Sequence, residues 1–423
     1  MPVLTEPQRR AVLDAVLRVI DTKYMGPAVD AATLRAAHEA TIVNSADPAE
    51  FEVAMNAMLK DLGVSHTGFF HESTPRAAGR VAIAATFTKA QTSDGERWMF
   101  QDVHPGGVAA GAGIKPGDVL LSVRGQELVP PQVTPFALGE RYEVVLRRPD
   151  GSTVSPTLDI PRPKDKGRPL VVPDQVVTAR RLEDGTGYMR VTMFPGVLGI
   201  DVAHDMSRAV QELGTERLVV DLRGNTGGGI GCLRLMSLLC ADRRGVGYSV
   251  GRATAKKGYR KEDLAVFDRI PTSKWGALAL IPRFAMAGRS VAVFTEALGA
   301  RAHHGRVAML VNEHSASAAE MVAAFAQENG LATLVGTRTA GRLVAASAFK
   351  VGHGYRLALP VAEYYTWAGK RLEGVGVRPD AESPVDPVAI RNGHDSQLVA
   401  AVSAVYGTLA STAGEPTPVA SAT

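Results

Sequence analysis

The chain has 423 residues, 45% of them hydrophobic and 21% charged, a balance that excludes a wholly disordered polymer. At ~150 residues per domain it has room for about three compact units. Its 47 Lys and Arg against 43 Asp and Glu leave a formal charge of +4, too small a surplus to argue for nucleic acid as a partner. Two cysteines, Cys232 and Cys240, cannot build a disulfide framework and match no zinc spacing.

The first residues, MPVLTEPQRRAVLDAVLRVIDTKY, lack the apolar core of a signal peptide, and no apolar run of about 18 residues spans a membrane. As written the chain reads as cytoplasmic, or as periplasmic or secreted if a leader has been removed. Residues 7–60 read as helices. In the first, Val12, Leu13, Val16, Leu17 and Ile20 share one stripe. Another, PAEFEVAMNAMLKDLG, ends at Gly63. The short β-type run VSHTGFF, carrying Ser65 and His66, closes this N-terminal segment (1–75).

Residues 76–162 change texture. RVAIAATFTKA, RWMFQDV, DVLLSVRG, ERYEVVLRR and STVSPTLDIP, broken by Gly and Pro, predict about five or six strands of a small β-rich module. PRPKDKGRP (161–169) suits a linker. From 163 to 400 strands alternate with helices: TGYMRVTMF, a helix over 199–213, RLVVDLRG, a helix over 230–240, VAVFTEA, RVAMLVN, a helix over 317–329, and ATLVGT. Such alternation predicts an α/β domain with a partly parallel sheet. The small, polar stretch from 401 to 423 reads as a tail disordered at its end.

Three segments stand out for chemistry: HPGGVAAGAGIKPGDVLLSVRGQEL (104–128), RLVVDLRGNTGGGIG (217–231) and VAMLVNEHSASAAEMVAAFAQENGLATLVGTRTAG (307–341). In order and spacing they resemble the carboxyl-terminal processing proteases and the related tricorn-type peptidases. The resemblance covers about residues 55–380. It implies a crotonase-like α/β core with an inserted PDZ-like module, and a serine peptidase needing no metal or other cofactor.

Ser317 stands at the family's nucleophile position. Its local pattern agrees, because an apolar β run is followed by small residues and an amphipathic helix. This places the hydroxyl at a helix N-terminus, where N–H groups favour developing negative charge. A capping box, Ser317-Ala-Ala-Glu320, explains the same residues without chemistry. In the processing proteases a lysine follows the nucleophile by 25 positions; here that position holds Arg342, and Ala346 replaces the glutamine usual four residues later. An arginine stays charged and cannot take the serine's proton.

A different base comes from the tricorn-type resemblance. LGVSHTG (62–68) is similar to that group's Ser-His segment, and LEGVGVRPD (372–380) to its glutamate-containing stretch. The resemblance thus implies a tetrad of Ser317 as nucleophile, His66 as base, Glu373 as its orienting carboxylate and Ser65 in the same hydrogen-bond network. The alternative base is Lys350, if burial lowers its pKa. The turn GNTGGGIG offers an oxyanion hole from Gly227 and Gly228, with Ala318 N–H as a further donor and Asp221 and Asn225 bracing the turn. A phosphate loop is the weaker reading, since no Gly-Lys-Ser/Thr ending follows.

The PDZ-like module implies capture of peptide C-termini by strand addition, so peptides or unfolded proteins are the expected substrates, with an oligomer allowed. The basic stretch 242–263 reads as a solvated loop. His303-His304 presents two different faces, and no metal is expected. Two other functions compete: a catalytically silent binding protein, resembling the retinoid-binding proteins of the eye on this core and suited by Arg342, and acyl-CoA chemistry, which rests on fold analogy alone.

Overall fold

The computed structural model describes residues 3–73, 79–132, 134–162, 175–196, 199–271 and 290–407. The N-terminal helices Glu6–Lys23, Ala31–Val43 and Pro48–Lys60 start where the sequence offers caps. Asp30 accepts the N–H groups of Ala32 and Thr33, and Asp47 those of Ala49 and Glu50, which satisfies donors that a helix start leaves free. The predicted stripe is buried against Val351, Tyr355, Leu357 and Leu359 from late in the chain. Strand Gly68–His71 also pairs antiparallel with Tyr355–Thr366. The first 73 residues are therefore joined to the end of the fold by both a core and a sheet.

That sheet runs in spatial order Gly68–His71, Tyr355–Thr366, Gly245–Gly251, Val291–Phe294 and Ala265–Phe267, with Val344–Gly352 paired on Tyr355–Thr366. Its strand Gly245–Gly251 corrects the reading of 242–263 as a solvated loop. A Cβ on Gly245 would fall 2.2 Å from the Trp367 ring and one on Gly247 2.2 Å from the Tyr364 hydroxyl, so these glycines serve close packing rather than a flexible connection.

The second sheet is ordered Ala381–Glu382, Thr333–Gly336, Arg306–Val311, Arg217–Asp221, Gly187–Val191 and Val177–Arg181. All its pairings are parallel except the last, as the strand–helix alternation predicts. Helices Ile200–Leu213, Cys232–Leu238 and Ala318–Glu328 cover one face, burying Met189, Val220, Met309 and Leu334. The alternate residues Val219, Ala308, Leu310 and Val335 face Ala401 and Val405 of helix Ser396–Tyr406. This helix crosses the expected boundary at 400, because its apolar positions are needed to cover the second face; residues 408–423 of the expected tail and 163–169 of the expected linker lie outside the described residues.

Residues 85–159 carry a seven-stranded sheet, ordered Ala85–Thr92, Gly95–Val103, Val119–Val123, Arg141–Arg147 and Thr153–Val154, with Gln126–Glu127 and Thr157–Asp159 attached. It has its own core around Phe87, Phe100, Leu120, Tyr142 and Leu146. RVAIAATFTKA is not one strand. Gly79–Ile83 is helical and the strand begins at Ala85, after Ala84 turns the chain with φ 54°; so short an apolar run does not distinguish the two states by periodicity. Among the described residues no helix is long and apolar enough to cross a membrane.

Candidate active site

The parallel sheet sets the location. Two loops leave the carboxyl ends of adjacent strands Arg217–Asp221 and Arg306–Val311, the edge at which such sheets gather ligands. In the second loop Asn312 Oδ1 accepts from His314 N and from Gly224 N of the neighbouring loop, and Ala316 N donates to Asn225 O at 2.9 Å. The loops are thus cross-tied. Ser317 follows, half-buried, at φ 57° and ψ −120°, a region few residues other than glycine adopt. It caps helix Ala318–Glu328, and Glu320, three residues on, accepts the Ser317 N–H at 3.0 Å.

Glu320 does more than cap. Fully buried, it also accepts from Thr339 Oγ1 (2.6 Å), Gly341 N (2.7 Å) and Arg342 N (2.8 Å). It thereby fastens the TAGR turn to the backbone of Ser317, a link the capping-box reading does not contain.

The glycine turn packs directly on the serine. A Cβ on Gly227, at φ +87°, would come within 2.7 Å of Ser317 Cβ, Ala316 O and Ala318 N. One on Gly228 would come within 2.0 Å of Phe194 O. Gly227 N–H donates to Asn225 Oδ1 at 2.8 Å, and Asn225 Nδ2 donates to Val191 O. Asp221, also buried, accepts from Arg223 N and from the Tyr188 hydroxyl at 2.7 Å. Asn225 and Asp221 hold the turn from below. Ala318, the first residue of its helix, has an N–H that no intrahelical carbonyl can take.

His66, Ser65 and Glu373 form one series. Glu373 is buried and accepts Ser65 N–H (2.6 Å), Ser65 Oγ–H (2.9 Å) and Leu343 N–H (2.7 Å). Ser65 Oγ lies 2.7 Å from His66 Nδ1. A hydroxyl has one proton. With that proton on the carboxylate, Ser65 must accept from Nδ1–H, and the neutral imidazole is left with Nε2 as a free acceptor. Glu373 thus reaches the imidazole through Ser65, not directly. Although His66 is exposed, dehydration of its ring pushes its pKa below the ordinary histidine value, the Glu373 charge opposes this, and Arg342 adds to the depression.

The sites separated in sequence are therefore joined through residues 341–343: Arg342 N on Glu320 next to Ser317, Leu343 N on Glu373 next to Ser65 and His66. Lys350 stands apart. It is exposed on strand Val344–Gly352, opposite Arg356, so the burial its alternative role requires is missing. Among the described residues no group of three or more His, Cys, Asp or Glu side chains is placed to hold a metal ion.

Fold and site together define a class, an α/β domain with a strained serine at a helix start beside a glycine turn. Residues 185–383 match the model of peptidase family S41. It is 26% identical over 293 residues to a carboxyl-terminal-processing protease of Picosynechococcus sp., covering 67% of this chain and 60% of that one. To a carboxyl-terminal-processing protease of Synechocystis sp. it is 25% identical over 318 residues, covering 72% and 64%. The chain thus spans less than two thirds of the length of these relatives. In fold it is similar to the photosystem II D1 C-terminal processing protease, with a TM-score of 0.56 at 21% identity over 90% of this chain and 93% of that one. Mature CPAF gives 0.57 at 16% identity over 94% and 96%.

Proposed function

We propose that the protein is a serine peptidase that hydrolyses peptide bonds in peptides or unfolded chains through an acyl-enzyme on Ser317. The observation that carries this is the series Glu373–Ser65–His66, which leaves Nε2 of the imidazole able to accept a proton. In this reading Nε2 takes the Ser317 hydroxyl proton as Oγ attacks the scissile carbonyl carbon. The negative oxygen so formed is met by the N–H groups of Gly228 and Ala318, since the Gly227 N–H is committed to Asn225. The imidazolium then gives its proton to the departing amine as the C–N bond breaks, and water repeats the sequence to release the acid.

The inserted sheet fits a PDZ-like role in which substrate adds as a strand beside Ala85–Thr92, an edge of that sheet.

A fluorophosphonate probe should label Ser317 in stoichiometric amount and stop proteolysis of unfolded casein, and Ser317→Ala should be both unlabelled and inactive. A fully active Ser317→Ala variant overturns the reading. The competing silent binding protein, which Arg342 at the lysine position favours, predicts an unlabelled wild type.

A further inference from the structure

The inserted module meets the core beside the glycine turn, and the contact is polar. Arg190, from core strand Gly187–Val191, sends its guanidinium into the module to Asp102 of strand Gly95–Val103, with both carboxylate oxygens engaged and one bond at 3.0 Å. The same guanidinium reaches Arg223 O at the start of the turn, at 3.5 Å. His104, two residues after Asp102, is buried, with Nε2 3.4 Å from Asp102 Oδ2, long for a hydrogen bond. A Cβ on Gly224, in the turn itself, would lie 3.2 Å from both His104 Nε2 and Thr86 Cγ2. His314, in the loop before Ser317, bonds to Phe87 O of the module at 3.0 Å. The module therefore touches both loops that build the site.

Adhesion alone does not explain this seam. Thr86 Oγ1, His104 Nε2, Arg190 Nε and Asn312 Nδ2 are buried there without a protein hydrogen-bond partner. Each such group costs free energy, and well-packed apolar residues hold two surfaces together at least as well as a buried ion pair. Nor does the module depend on the seam for attachment. Ile390 of helix Pro387–Arg391 also packs against Ala90, Met99 and Val119. Arg391 Cα would sit 3.0 Å from a Cβ on Gly117. This contact is apolar, whereas the contact against the glycine turn is polar.

We propose that Asp102 and His104 are positioning residues for the proposed hydrolysis: through Arg190 and the packing on Gly224 the module braces the glycine turn at the height that Ser317 requires. This rests on the peptidase reading above and gives the inserted module a part in turnover independent of capturing substrate ends. Displacement of such a turn by about 1 Å is enough to cost up to ~10²-fold in rate.

The test uses the full chain and the fluorophosphonate probe, which is too small to engage the module. In Asp102→Asn and in His104→Ala the maximal labelling rate of Ser317 should fall on the order of tenfold or more, with the concentration for half-maximal rate changed by less than about twofold. Asp102→Glu, which keeps the charge, should recover part of the rate. Hydrogen exchange serves as the structural control: amides of strand Arg217–Asp221 should stay protected while those of 224–229 exchange faster. Should Asp102→Asn fail to fold, His104→Ala decides, since it strands no charge. A wild type that labels together with a His104→Ala variant that labels at the same rate overturns the brace. A wild type that does not label overturns the peptidase reading instead.

Discussion

At the scale of single residues, the proposed chemistry turns on which nitrogen of His66 is free and at what pH. Dehydration and the Arg342 charge lower its pKa while Glu373 raises it. Cleavage efficiency should therefore rise with pH through an inflection below the ordinary histidine value, about 6.5. Arg342→Gln removes a positive neighbour, so the inflection should move to higher pH with the plateau retained; Glu373→Gln should move it lower. An inflection that stays fixed in both variants excludes His66 as the titrating base. His66→Ala should lower the plateau by about 10²–10⁴-fold, the usual contribution of a positioned base, and Lys350→Ala should leave it unchanged. The contact of Ser65 with His66 is legible because it joins two side chains adjacent in the sequence. Glu320 was legible only as a cap: apart from Thr339 its partners are the backbone N–H groups of Ser317, Gly341 and Arg342, and a backbone amide is the same at almost every residue, so the contact has no sequence signature.

Among elements, the turn between strand Arg306–Val311 and helix Ala318–Glu328 stores strain at the serine. A non-glycine residue at φ 57° and ψ −120° costs about 1–3 kcal/mol. Replacing Ser317 with glycine relieves that cost, offset in part by the freedom glycine gains when unfolded. Ser317→Gly should thus be inactive yet more stable by about 1 kcal/mol, measured by chemical denaturation; a less stable variant would show that the serine is not strained. Gly227→Ala should act in the opposite sense. Its left-handed φ costs an alanine about 1–2 kcal/mol, and its Cβ would overlap Ser317 Cβ and the Ala318 amide. Stability and labelling of Ser317 should both fall. The sequence revealed that glycines were needed between strand and helix but not their division of labour. Commitment of the Gly227 N–H to Asn225 and the closeness of Gly228 to Phe194 O depend on the path of strand Gly187–Val191, which no local spacing encodes.

For the whole molecule, the long-range ties converge on the glycine turn from three directions: the module through Asp102 and Arg190, the core through Asn225 and Asn312, and the C-terminal segment through Asp395. Arg223 is the clearest junction, bound to Asp221 and to Asp395 at 2.7 Å each, and none of these partners is close enough to another in the chain to be read as a pair except Asp221 with Arg223. The junction has a consequence for acid stability. Burial alone would raise the Asp221 pKa, but the charges of Arg223 and Arg190 outweigh it and hold it below 3.8. Asp102, facing Arg190, is held well below the same value. A carboxylate whose folded pKa lies below its unfolded one contributes stability above the unfolded value and loses it as pH falls through the folded one. The thermal midpoint should therefore be insensitive to these two groups near neutrality and decline below 3.8. Asp221→Asn leaves the Arg223 charge without its buried partner and should cost about 3–5 kcal/mol at pH 7. The gap between variant and wild type should narrow as pH is lowered below 3.8, because the wild type loses the carboxylate's contribution as pH falls through its depressed folded value. A gap of constant size across that range would mean that Asp221 holds the turn by shape and hydrogen bonding alone, with its charge contributing nothing.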